Sequence, residues 1–75
     1  MQTMPINFAK TGEKVEIVNT IAGKQMDKKL MEMGLNTGSK VDIIKNDGGS
    51  LILGIGGSKL AIGQGMGHKI MVKPM

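Results

Sequence analysis

The side chains able to do chemistry in this chain are few. It carries one imidazole, His68, six carboxylates (Glu13, Glu16, Asp27, Glu32, Asp42 and Asp47), eight methionines and no cysteine. Without a thiol it can build no disulfide, zinc-thiolate site, thiolate nucleophile or iron-sulfur centre. A serine triad would have to use His68, and no Gly-x-Ser-x-Gly elbow accompanies it. Gly54-Ile55-Gly56-Gly57 and Gly63-Gln64-Gly65-Met66-Gly67 resemble phosphate loops in composition, yet neither leads into Gly-Lys-Ser or Gly-Lys-Thr, and Ser58-Lys59 inverts that order. Hairpin and turn geometry is the expectation for both, and no enzymatic activity follows from this inventory.

Metal chemistry is equally thin. A closed site for a divalent transition ion wants three or four converging ligands, and no pair here has His-x-x-x-His, Glu-x-x-His or Asp-x-Asp spacing. Glu13 and Glu16 lie three apart on an expected strand and so face opposite sides. Weak surface binding of Fe(II) or another divalent ion through His68 is the most these residues allow, and no cofactor is expected. Thioether sulfur suits Cu(I), but Met31 and Met33 fall on different faces of an expected helix. Met26 and Met33 are expected to fill the core, leaving Met31 free as an adaptable contact.

Ten lysines against six acids leave a net charge of +4 and a pI near 9.6. Every basic residue is lysine, so the bidentate guanidinium fork that reads guanine is missing, and Phe8 is the one aromatic ring on which a base could stack. Nucleic acid is therefore not expected as a partner. The lysines are spread out, with Lys28-Lys29 the adjacent pair, and fit solvated surface or docking to an acidic protein face. The longest apolar runs, such as Leu51-Ile52-Leu53, are far too short to span a bilayer, and the N-terminal residues lack the features of a secretory signal. The expected location is the cytoplasm.

Seventy-five residues allow one domain, and 40% hydrophobic residues are enough for a folded core, while twelve glycines favour many turns over long helices. Val15 and Ile17 alternate with Glu16, predicting a first strand over 12–18 after an approach loop from Thr3 to Lys10, with Ile6 and Phe8 folded back as a lid. From Gly23 to Leu35 the period changes, and Met26, Leu30 and Met33 form one stripe of an amphipathic helix, opposite Lys28, Lys29 and Glu32. Gly34 is placed to end that helix in the left-handed conformation, returning Leu35 onto Leu30. Further strands are predicted at 40–44 with Val41 and Ile43 inward, at 50–55, at 59–62, and at 68–72 with Ile70 and Val72 inward and Pro74 as its stop. Asn46-Asp47-Gly48-Gly49 and Gly56-Gly57 supply the hairpins. Gly63 to Gly67 is predicted to make a single tight helical turn. The chain is thus expected to be mainly β, a small five-stranded, partly open SH3-like barrel with one short helix inserted after the first strand.

Leu30-Met31-Glu32-Met33-Gly34-Leu35-Asn36-Thr37-Gly38-Ser39-Lys40-Val41 resembles the Leu-x-x-Leu-Gly-Leu-x-x-Gly-x-x-Ile motif of the FeoA family, small cytosolic accessory proteins of ferrous iron transport. Gly12 to Ile17 is similar to that family's opening strand, and Leu60-Ala61-Ile62 with Ile70-Met71-Val72 to its closing strands. The resemblance implies an SH3-like barrel and a partnership with FeoB, the membrane ferrous transporter whose cytosolic part carries a GTPase domain. Lys28 and Lys29 stand where the family often has arginines, and Gly63 where an arginine commonly follows the Ile-Ala-Leu strand. A more helical, Ala-containing turn is replaced by Gly65 to Gly67. An arginine finger therefore does not carry over to this chain. The same module closes iron-dependent repressors, but 75 residues leave no room for their DNA-binding domain.

The expected function is a non-enzymatic module, residues 1–75, that docks on the cytosolic part of a FeoB-like transporter and modulates it. The expected partner surface is Met31 with Lys28 and Lys29, with Gly63 and Gly65 as a second candidate. The alternative is a metal-responsive regulatory or iron-chaperone domain that binds the ion itself, for which His68 is the candidate ligand.

Overall fold

Short runs of alternating apolar residues, cut by glycine turns, form the strands of the computed structural model, which describes residues 2–21 and 23–75. In chain order these are β1 (Met4–Pro5), β2 (Lys14–Thr20), β3 (Lys40–Asn46), β4 (Leu51–Ile55), β5 (Ser58–Ile62) and β6 (Ile70–Pro74). A 3-10 turn, Ile6–Phe8, follows β1; helix α1 (Lys24–Glu32) is inserted between β2 and β3; and the one-turn helix α2 (Gln64–Gly67) joins β5 to β6. All pairings are antiparallel, in the order β1-β6-β2-β3-β4-β5.

The sheet thus has six strands among the described residues where five were expected. The addition is β1, which lies in the expected approach loop and pairs Met4 with Val72 and Pro5 with Met71. Two residues, one of them proline, show no period to read; the free edge of β6 recruits them. Pro74 ends β6 as expected and, as its last residue, sits in the ladder opposite Val15. Among the described residues hydrogen bonding does not close the sheet, since β1 and β5 are its edges. Its inner face nevertheless wraps one core: Val15 and Ile17 of β2, Val41 and Ile43 of β3, Leu51 and Leu53 of β4, Ile62 of β5 and Ile70 and Val72 of β6 lie in a single buried cluster. Strands from opposite ends of the order can share that cluster only if the sheet coils on itself. Register breaks between Ile17 and Asn19 and between Ile43 and Lys45 insert an extra residue in β2 and β3, which adds twist at those points.

Short local elements complete this core. A 3-10 turn has three residues per turn, so Ile6 and Ala9 stack on one side and both are buried, whereas Phe8 points away and is 61% exposed. Ile6 is the expected lid; Phe8 is not part of it. Helix α1 adds Leu30, fully buried, and Met26, half-buried, to the same core. Met33 was expected on the same stripe but is 39% exposed. The helix stops at Glu32, so Met33 lies in the cap (φ −84°, ψ 1°), where the chain already turns, and the inward place passes to Leu35.

That stop is a Schellman motif. The Leu35 N–H donates to the Leu30 carbonyl (2.8 Å) and the Gly34 N–H to the Met31 carbonyl (3.0 Å), with Gly34 at φ +90°. A Cβ at Gly34 would be strained by its backbone angle and would also touch Ile55 Cγ2 at 3.4 Å. Gly34→Ala should therefore cost about 1 kcal/mol or somewhat more, a fall of about 4–8 °C in thermal melting. An unchanged melting curve would contradict the left-handed stop.

Candidate functional site

Helical geometry decides which side chains of α1 can act together. Residues three and four apart share a face, so Lys24, Asp27, Lys28 and Met31 form one surface, while Lys29, two residues before Met31, lies on another. Met31 is 62% exposed and borders an open groove of about 450 Å³ lined by Thr20, Asp27, Met31, Leu35, Asn36 and Thr37. The groove exists because the Schellman turn lifts Asn36 and Thr37 beside the helix while Leu35 drops into the core. Ser39 holds that turn in shape: its hydroxyl donates to the Gly34 carbonyl (2.9 Å) and accepts from the Asn36 N–H (3.1 Å). Lys28 and Lys29 are both exposed and enter no ion pair among the described residues. The expected trio thus resolves into Met31 with Lys28 over a groove, and Lys29 apart from them.

The second candidate surface surrounds α2. Gly63 and Gly65 are exposed, with open space where a Cβ would stand and no positive φ at either. Glycine is therefore not demanded there by the backbone. His68, expected at the start of the last strand, is instead the residue that caps α2 (φ −65°, ψ −18°), and β6 begins at Ile70. Its Nε2 lies 3.2 Å from Nδ2 of Asn7, and its ring meets that of Phe8 edge-on, centroids 6.1 Å apart. An amide and an aromatic ring are the neighbours of this exposed imidazole, and no three His, Asp or Glu side chains among the described residues gather into a cluster. His68→Ala is therefore expected to leave the fold intact and to abolish whatever weak Fe(II) affinity the chain has, as read by titration calorimetry; a submicromolar one-to-one site surviving in the variant would place the ligands elsewhere.

Asn46, expected in a hairpin turn, organises this end of the molecule. The Asn46 side chain, at the end of β3, donates through Nδ2 to the carbonyls of Asn7 (2.9 Å) and Ala9 (2.6 Å) and accepts at Oδ1 from Gln64 Nε2 (3.2 Å). Its N–H donates to Thr11 Oγ1 (2.9 Å). It ties the 3-10 turn and α2 to the sheet. No local pattern marks such a role, because its partners are 18 to 39 residues away. In the turn that follows, Asp47 accepts from the Gly49 N–H (3.0 Å) and faces Lys45 Nζ at 3.4 Å. The backbone bond from Gly49, then Lys45, hold its carboxyl below the usual value. Any contribution to stability is thus present above the ordinary carboxylate range and fades as pH falls through the depressed value.

Comparison with known proteins agrees with the motif order. The model of the FeoA domain matches residues 4–74. A curated relative from Methanocaldococcus jannaschii, "Putative Fe(2+) transport protein A", is 44% identical over 69 residues, covering 92% of this chain and 84% of that one. The crystal structure of an iron uptake regulatory protein (FeoA) superposes with a TM-score of 0.89 at 29% identity, covering all of both chains. A manganese-dependent transcriptional repressor in complex with manganese shares the fold (TM-score 0.88, 15% identity), this chain matching 38% of its length.

Proposed function

The chain belongs to the FeoA domain family, and from that we propose that it is a non-enzymatic accessory of ferrous iron transport. It docks on the cytosolic, GTPase-bearing part of a FeoB-type membrane transporter and modulates it. No helix among the described residues is long and apolar enough to cross a membrane, so contact with a transporter falls to the surface of the barrel. The observation that carries this assignment is Met31, a large flexible thioether left 62% exposed beside Lys28 and over a groove that the core does not need. Such a side chain adapts to an apolar pocket, and a cation at its margin suits an acidic rim.

The test is titration with the transporter's cytosolic domain. Met31→Asp should weaken binding by about 1–2 kcal/mol with the circular dichroism spectrum unchanged, as expected for an anchor residue. Lys28→Glu should slow association at low salt and lose that effect at high salt, because rim charges steer more than they hold. Full affinity in a folded Met31→Asp chain would move the interface away from α1.

A further inference from the structure

The edge of the sheet formed by β5 is open. Every ladder partner of β5 lies on β4, from Leu51 opposite Ile62 to Ile55 opposite Ser58. The hairpin between them closes through Gly56 and Gly57 at φ +54° and +88°, the two positive angles of a type I′ turn. In such a two-residue hairpin the flanking pair, Ile55 and Ser58, exchanges both of its N–H···O=C bonds, and bonded pairs then alternate along the ladder. Ser58, Leu60 and Ile62 therefore direct their backbone groups to β4. Lys59 and Ala61 direct theirs outward, and no loop, turn or cap among the described residues bonds to any residue of β5. Both side chains are exposed on the outer face, and Leu60 is half-buried on the inner one.

We infer that β5 pairs with β5 of a second copy of this chain, antiparallel, about a two-fold axis at Leu60. The inference stands apart from docking on a transporter. With the axis there, Lys59 of each copy is opposite Ala61 of the other, and each of these pairs exchanges both outward N–H···O=C bonds. All the backbone groups that β4 leaves unused are thereby satisfied. Leu60 meets Leu60 of the second copy on the inner face at the close spacing of a non-bonded pair, so apolar surface covers apolar surface. Each lysine stem lies against an alanine methyl, and no like charges are directly opposed. Moving the axis to Lys59 would set two ammonium groups face to face, and moving it to Ala61 would run the pairing into Gly63, beyond the strand. The edge is thus self-complementary in one register.

Sedimentation equilibrium of the full chain, from micromolar to millimolar concentration, tests this. The wild type should show a reversible monomer–dimer equilibrium that tightens with added salt, because two copies of net charge +4 repel. Ala61→Glu sets a carboxylate opposite Lys59 twice by symmetry and should tighten the dimer about two- to tenfold; Ala61→Lys should loosen it by a similar factor. Ala61→Pro removes an outward donor while sparing the bonds to β4, and should abolish dimerisation with the fold retained by circular dichroism. A wild-type chain that stays monomeric throughout overturns the inference and leaves Lys59 as a guard against edge pairing. A dimer indifferent to all changes at Ala61 overturns it as well.

Discussion

Gly67→Ala should lower the melting temperature sharply, whereas Gly65→Ala, two residues earlier in the same helical turn, should leave it unchanged or slightly raised. A Cβ at Gly67 would stand 2.8 Å from Leu51 Cδ1 and 3.0 Å from Asn7 Cβ, while one at Gly65 would meet nothing. Neither neighbour of Gly67 can yield freely. Leu51 is fully buried in the core, and the Asn7 carbonyl is bonded to Asn46. Overpacking of this kind costs about 1–3 kcal/mol, which in a domain this small is a loss of roughly 4–8 °C for each kcal/mol. Equal melting of the two variants would show that α2 can slide off Leu51, and that the close approach at Gly67 is not required.

Asn46→Ala removes the donor to two carbonyls and the acceptor for Gln64 together. At about 1 kcal/mol for each bond the loss is about 3 kcal/mol, and it should appear in urea as a lower midpoint with little change of slope. Asn46→Asp is the sharper probe. It keeps the volume and an acceptor for Gln64 but turns the Nδ2 position into an oxygen facing the carbonyls of Asn7 and Ala9. It should be at least as destabilising at neutral pH and recover in part as the carboxyl is protonated and can donate once. Amide exchange should quicken first in the 3-10 turn, at Ala9, whose N–H bonds to the Ile6 carbonyl. An Asn46→Asp chain as stable as the wild type would mean that water serves those carbonyls equally well.

The contrast between these two positions and α1 shows what local sequence carries. At α1 the stop depends on residues adjacent in the chain: Leu30, Gly34 and Leu35 are within one and a half turns, and the left-handed glycine followed by an apolar residue is readable as such. Strand faces were legible for the same reason, as at Val41 and Ile43 or Ile70 and Val72, because alternation is a nearest-neighbour property. Phe8 and Met33 were misplaced because size and hydrophobicity do not say where a turn ends; the three-residue pitch after Pro5 and the early stop at Glu32 rotated them outward. Asn46 and Gly67 act on residues distant in the chain, and neither amide chemistry nor a missing Cβ announces its partner. On the candidate site, helical phase accounts for the exposure of Met31 and for the separation of Lys29 from it, but the groove beside α1 depends on where the turn after Gly34 places Asn36 and Thr37.

Docking through α1 is tested most directly by following the amide resonances of the labelled chain while the cytosolic, GTPase-bearing domain of a FeoB-type transporter is added. Saturable shifts are expected at Asp27, Lys28, Met31, Asn36 and Thr37, around the groove beside α1, with Gly63 to His68 little changed. No saturable shift at all, or shifts confined to Gly63 to His68, would contradict it.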